Sequence, residues 1–347
     1  MARARGKPVT AADVAARAGV SRTAVSFVLN GRDAGNVSSP TRDRILAAAA
    51  DLGYTPNLVA SSLRRQSTRQ VGIITDTIAS SPFAGRLLRG AVDRASERGF
   101  MVSLFDTAQR PERESSAAHE LLRRRADGIL YASMGLREVT DLPDVGLPMV
   151  LANCYVAGDA LPCVIPDETL GGRTAAQYLL GNGHRRVTML GGSGAVAGPL
   201  RAGGFRSAMR SAGLDPAATP VVEAGWTIDA GYAAACRVLN PPPEGESPTA
   251  VFAVNDRVAL GAMLAAARLG LDVPGDLSIV GFDDQEELAA NLVPALTTLA
   301  LPHHQMGERA MDVLLDLHAE ALEPDRPRRQ LLDCPLMVRD SVSPPRR

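Results

Sequence analysis

From residue 70 the chain repeats one alternation, and no other feature restricts its fold as much. "VGIITD" reads as a buried strand and "PFAGRLLRGAVDRASERG" as a helix; "FMVSLFD", "ERESSAAHELLRRR" and "ADGILYA" continue as strand, helix and strand. A second series runs through "TLGGRTAAQYLLGNGH", "RVTMLGG", "GGFRSAMRSAG", "YAAACRVLN", "AVFAVND", "ALGAMLAAARLG" and "LSIVGFDD". Parallel neighbours need a crossover long enough to hold a helix, so this pattern predicts parallel sheets with helices on both faces. Two series predict an α/β core of two Rossmann-like subdomains, with a ligand cleft outside the carboxyl ends of the strands.

The first 65 residues lack the alternation and read as three short helices. Thr10 with Asp13 makes a capping-box start for "AADVAARAG", Gly19 stands where a tight turn needs positive φ, and Ser21 caps "RTAVSFVLN". Ser39-Pro40 opens "TRDRILAAAADLG", with Gly53 as its stop. Val14, Ala15, Ala18, Val20, Val25, Val28, Leu29, Ile45, Leu46 and Leu52 form the predicted small core. Two helices joined by a short glycine turn make a helix-turn-helix, whose second helix lies in a major groove. Arg22 and Thr23 then face base edges, with Phe27 one turn later; Ser21, Asn30 and Thr41 fall at phosphates.

Charge supports a polyanionic partner for this head. Residues 1–65 hold ten Lys/Arg and four Asp, a net of +6, whereas the remainder holds 27 Arg against 34 Asp/Glu, a net of −7. "GYTPNLVASSLRR", residues 53–65, adds a puzzle: Pro56 opens a helix of barely two turns, too short to be stable alone, with Leu63 set beside Arg64 and Arg65.

At 347 residues the chain exceeds one core and predicts two or three domains. It has no apolar run of membrane-spanning length, and "MARARGKPVT" lacks the apolar stretch of a signal peptide, so a cytoplasmic protein is expected. Cys154, Cys163, Cys236 and Cys334 are scattered without metal-ligand spacing and read as reduced core thiols. Enzyme motifs fail in turn. "GGSGA" at 191–195 lacks the last glycine of a nucleophile elbow, "GGSGAVAGPLRAGG" gives no G-x-G-x-x-G in any register, and the only lysine is Lys7, so no phosphate-binding loop exists. His303-His304 reads as a helix start near a cleft rim. No cofactor, no metal and no catalytic constellation is expected, although an α/β enzyme would share the alternation.

"VTAADVAARAGVSRTAVSFVLNG" with "VSSPTRDRILAAAADLGYTPN" resembles the N-terminal domain of the LacI/GalR family of bacterial transcription repressors. "PDETLGGRTAAQYLLGNGHRRVTMLGG", "VFAVNDRVALGAMLAAARLGLDVPGDLSIVGFDD" and "PALTTLALP" resemble its effector core, which is similar to periplasmic sugar-binding proteins. The resemblance implies a hinge helix after "YTPN" that folds when two protomers sit on operator DNA, with Leu63 wedged into the minor groove and Arg64 beside it; Asn36 and Asn57 join the DNA contacts. It implies an effector held by Arg201 through hydrogen bonds, by Trp226 through stacking, and by Asn255 and Asp283 at its hydroxyls, with Pro82 and Phe83 on the opposite wall. By its residue type alone, Asp256 reads as the helix cap rather than Asn255. Phe27 departs from a base-reading arginine common in the family. Ala195, Ala197 and Leu301 make the pocket less polar than in several relatives.

These readings predict a helix-turn-helix domain over 1–56, a hinge over 57–69 and an effector core over 70–347. Within the core, the first subdomain takes about 70–166 and 299–328, and the second about 167–298 and 329–342. "PLMVRDSVSPPRR" reads as a final strand and a short disordered tail. With no appended leucine heptad, a homodimer on a pseudo-palindromic operator is expected. A sugar or nucleoside-like effector is expected, with an unrelated small metabolite as the alternative, and the rival binding reading is a periplasmic-type solute-binding protein.

Overall fold

The computed structural model describes residues 9–29, 31, 33–54, 67–78, 85–215, 219–240, 247–285, 287–320 and 327–346. The chain divides into two compact units, 1–68 and 69–347.

The first unit holds α1 (Ala11–Ala18), α2 (Arg22–Leu29) and α3 (Ser39–Asp51). Local chemistry sets each boundary. Asp13 Oδ2 accepts from the Thr10 amide at 2.8 Å while Thr10 Oγ1 caps the Asp13 amide, completing the capping box. Gly19 ends α1 at φ 64° and ψ 42°, a left-handed conformation that suits glycine. Ser21 Oγ accepts from the Ala24 amide at 3.1 Å and starts α2. Val14, Val25 and Ile45 are fully buried, with Ala15, Val28, Ala48 and Ala49 around them. Leu46 departs from the predicted core and is 47% exposed. Ile45, Ala48, Ala49 and Leu52 already occupy the inward face at helical spacing, and Leu46 stands about 100° around from Ile45.

The second unit contains two sheets. The first comprises β1 (Gln70–Thr75), β2 (Met101–Asp106), β3 (Gly128–Glu138), β4 (Met149–Tyr155), β5 (Cys163–Pro166) and β11 (Arg329–Leu332). The second comprises β6 (Val187–Gly191), β7 (Val221–Glu223), β8 (Ala250–Ala253), β9 (Ser278–Asp283), β10 (Thr297–Ala300) and β12 (Leu336–Met337). Their orders are β11-β5-β4-β3-β1-β2 and β12-β10-β9-β8-β6-β7, all parallel except β12 against β10. α4 (Gly85–Glu97), α5 (Pro111–Arg123) and α10 (His303–His318) pack on the first sheet; α6 (Glu168–Gly181), α7 (Ala197–Ser211), α8 (Ile228–Leu239) and α9 (Asp256–Arg268) belong with the second. Each sheet is therefore a buried layer between helices, as the alternation predicts. The four cysteines are free.

Three details differ from the sequence reading. Arg329–Leu332 joins the first sheet rather than the second, because its ladder on β5 runs from Arg329 opposite Cys163 to Leu332 opposite Pro166; correspondingly, Leu299 and Ala300 stay with β9. The helix read from Gly203 begins at Ala197. Its glycines serve close helix contacts, since an added Cβ would lie 2.1 Å from the Gly192 carbonyl oxygen at Gly198 and 2.0 Å from that of Thr169 at Gly204. The segment after β12 is tied down rather than disordered. Ser341 is fully buried, donates to the Ile279 carbonyl at 2.6 Å and accepts from the Thr297 amide at 2.9 Å. The Ser343 carbonyl accepts from His184 Nε2 at 2.9 Å, and Arg346 pairs with Asp276. Among the described residues no helix is long and apolar enough to cross a membrane.

Candidate functional site

In the first unit, α2 presents its N-terminal end to solvent. Ser21, Arg22 and Thr23 are exposed, Phe27 is half-buried, and no acidic residue occupies the first turn. The partial positive charge of the helix start is thus reinforced by Arg22, an arrangement suited to a phosphate backbone. Asn36 is exposed, and Thr41 is half-buried with Oγ1 accepting from Ser38 Oγ at 3.0 Å. Asn30, Asn57, Leu63 and Arg64 lie outside the described residues, as do Pro82 and Phe83.

In the second unit a cavity of about 240 Å³ lies at the carboxyl ends of both sheets, and it brings together Arg201, Trp226, Asn255 and Asp283. Ala195, Ala197 and Leu301 line it too. Glu168, Asn153, Met134, Gly135, Leu136 and Arg257 complete it and were missed. Glu168 was legible only as the third residue of "PDETLGG", an acid in the first turn of a helix, which ordinarily signals nothing beyond the helix dipole.

Each wall is built by its neighbours. The β3–β4 pairing shifts register between Ala132 and Arg137, and the shifted segment contributes Met134 and Leu136 to the cavity. Asp76 holds this segment by accepting from the Met134 amide at 3.0 Å and from Ser133 Oγ at 2.9 Å. Asn153, at φ 57°, secures it from β4, its Nδ2 donating to the Ser133 and Met134 carbonyls at 3.1 and 3.0 Å.

Arg201 is only 2% exposed. Its Nε and Nη2 donate to both oxygens of Glu168 at 2.6 and 3.0 Å, and its Nη1 to the Val254 carbonyl at 2.5 Å and Asp283 Oδ1 at 3.3 Å. The guanidinium carbon lies 3.6 Å from the centre of the Phe282 ring. Arg201, expected as a direct effector ligand, therefore spends most of its donors inside the protein. Burial opposes its charge, but Glu168 and Asp283 more than offset this and raise its pKa above the ordinary value.

The capping expectation is reversed. Asn255 Oδ1 accepts from the Val258 amide at 2.8 Å and caps α9, while its Nδ2 donates to the Trp226 carbonyl at 3.1 Å. Asp256 instead turns inward, accepting from Thr298 Oγ1 at 2.6 Å and from the Gln285 amide at 2.7 Å. Trp226 is half-buried, and its Nε1 donates to the Ser193 carbonyl at 2.9 Å, so the indole lines the cavity with its donor already engaged. Asp283 sits at φ 107°, a strained conformation outside glycine, and accepts from Gln285 Nε2 at 3.2 Å as well as from Arg201. Burial pushes the Asp256 and Asp283 carboxyls above the usual carboxylate range, and Arg201 pulls Asp283 part of the way back. His303, buried at the start of α10, is driven down to about 3 by burial and by the nearby cations Arg86 and Arg201.

Residues 10–57 match the model of bacterial regulatory proteins of the lacI family, and residues 176–342 match that of a periplasmic binding protein-like domain. The HTH-type transcriptional repressor CytR of Escherichia coli K12 is 33% identical over 347 residues, covering 96% of each chain. Among solved structures, the lac repressor dimer bound to operator and the anti-inducer ONPF aligns with a TM-score of 0.74 and 29% identity, over 97% of this chain and 100% of that one. The complex of the transcriptional regulator CelR with cellobiose aligns with a TM-score of 0.64 and 31% identity, over 96% and 99% of the two chains. Relatives thus match the chain along nearly its whole length, and the chain belongs to the LacI family of bacterial transcriptional regulators.

Proposed function

We propose that this protein is a cytoplasmic repressor that grips a pseudo-palindromic operator as a homodimer and is controlled by a small polyhydroxylated molecule, of sugar or nucleoside class, in the cavity. The observation that carries the reading is the cavity itself, set at the carboxyl ends of both sheets in a chain whose head exposes Arg22 and Thr23 at the start of a helix-turn-helix second helix. A two-fold dimer places two such helices in successive major grooves, with Arg22 and Thr23 at base edges and Ser21, Asn30, Asn36 and Thr41 positioning the backbone.

The segment 57–64 acts as a conditional clamp. Leu63 unstacks a central base step from the minor groove, a cost repaid by wider contact, and Asn57 and Arg64 flank it. Effector binding shifts the core and so the spacing of the two hinges. A coupling of about 1–3 kcal/mol, or about 5–150-fold in operator affinity, is typical of such linkage. The cavity suits binding, with Arg201 held between the carboxylates of Glu168 and Asp283.

The test is operator selection from random duplexes, then affinity for the winner with and without cavity ligands. Enrichment of a two-fold symmetric sequence, with an affinity that ligand shifts, is the expected result. Equal binding to all duplexes would refute the regulatory reading and leave that of a solute-binding protein.

A further inference from the structure

The lining of the cavity has an uneven balance of donors and acceptors. A guanidinium has five N–H groups, and four of those of Arg201 already have partners in Glu168, Val254 and Asp283. The edge that forks around a carboxylate or phosphate is closed by Glu168, and one face is stacked on Phe282. The acceptors are in the opposite condition. Each oxygen of Glu168 and of Asp283 accepts one hydrogen bond, although a carboxylate oxygen accommodates about two. Asn153 gives both Nδ2 hydrogens to carbonyls, which fixes the amide orientation and leaves its Oδ1 as the group it can offer. The other guanidinium of the wall, Arg257, is exposed to solvent.

Resting on the effector reading above, we propose that Glu168, Asp283 and Asn153 form a donor-reading subsite around a sequestered Arg201. It takes the hydroxyl or ammonium face of the effector and excludes anionic groups. Glu168 is the specificity determinant: it converts an arginine that would bind anions into the closed half of an ion pair. A carboxylate or phosphate entering here meets the Glu168 and Asp283 carboxylates and one remaining N–H of Arg201, and the other cation of the described lining, the exposed Arg257, already acts on Asp283. A hydroxyl pair or an ammonium finds acceptors on three side chains.

The experiment follows the fluorescence of Trp226, the only tryptophan of the chain, in the full-length protein and in Glu168→Gln and Asp283→Asn. Inorganic phosphate is the first probe. Glu168→Gln is expected to bind it at least about tenfold more tightly than the unaltered protein, and Asp283→Asn to move the same way by less. The second variant keeps the test open should the first not fold. Equal phosphate binding by all the proteins that fold overturns the proposal.

The second probes, applied to the unaltered protein, are glucose, glucosamine and glucuronate, with the galactose series alongside. A uronate binding more tightly than its parent sugar also overturns the proposal. Neutral or amino sugars ranking above the uronate support it, and the order within that pair identifies hydroxyl or ammonium as the preferred donor. Operator affinity is read in parallel. Sugars that bind in the expected order while leaving operator affinity unmoved would sink the effector reading and leave the charge selection standing.

Discussion

Gly203 and Gly204 stand side by side within α7 and should answer the same substitution with opposite signs. Replacing either by alanine removes the backbone-entropy penalty of a helical glycine, a gain of about 1 kcal/mol. At Gly203 nothing lies within 4 Å of the new Cβ, so that gain should appear in full. At Gly204 the Cβ would stand 2.0 Å from the Thr169 carbonyl oxygen and 2.7 Å from the Arg173 amide nitrogen, both in α6. Ordinary contact begins near 3.4 Å, so α6 and α7 must part by about 1.4 Å.

That displacement is transmitted to the cavity, because Glu168 opens α6 and its partner Arg201 lies one turn before Gly204. Overpacking of this kind costs about 1–3 kcal/mol. Since propensity cancels between neighbours, Gly204→Ala should be less stable than Gly203→Ala by about that amount. Urea unfolding at matched m-values measures the difference. If the two variants agree to within about 0.5 kcal/mol, the close α6–α7 contact is not what Gly204 is for.

Four further outcomes are expected. Leu63→Ala should weaken operator binding far more than binding to random duplex, and equal loss of both in a salt-controlled titration would remove the wedge. Arg22→Ala should cost about 1–3 kcal/mol at the operator and relax sequence preference at one base pair of each half-site; a uniform loss across sequences would make Arg22 a phosphate contact instead. Ser341→Ala should destabilise the second unit by about 1–3 kcal/mol, since a buried amide and carbonyl lose their shared partner, whereas unfolding midpoints that coincide would mean the tail is dispensable.

His184 is held neutral by burial, with its pKa below the ordinary value. The unfolded chain then binds the extra proton, so the stability this histidine contributes is present above about pH 6.5 and falls as the pH drops through that value, by at most about 1.4 kcal/mol per pH unit. Asp256 and Asp283 titrate with the opposite sign, so the comparison is with His184→Gln between pH 7.5 and 5.5. A stability difference that stays constant over that range would refute the linkage.

Much of the first unit was legible because its determinants are local. The Thr10–Asp13 box, the left-handed Gly19 and the Ser21 cap each involve groups within four residues of one another, so sequence spacing is their geometry. The strand–helix alternation was legible for a related reason. Buried parallel strands must be apolar runs and their crossovers amphipathic helices, whatever the neighbours are. Trp226, Asn255 and Asp283 were named through the family resemblance, and the alternation agreed by putting them at strand ends.

The partners of those residues could not be named from the sequence. Arg201 meets Glu168 across 33 residues and Asp283 across 82, and the order of the strands decides both meetings. Asp256 was the reasonable cap by residue type, yet Thr298, 42 residues away, and the Gln285 amide claim its oxygens and leave the cap to Asn255. Leu46 points to solvent because three alanine and isoleucine neighbours fill the inward face, and the tail is ordered because Ser341 lands between β9 and the start of β10. The sequence by itself determined which segments are helix or strand and which unit carries the basic charge, since these depend on neighbours along the chain. Tertiary structure alone decided which charges neutralise one another, because an ion pair depends on distance in space, and that choice surrounds Arg201 with the carboxylates of Glu168 and Asp283.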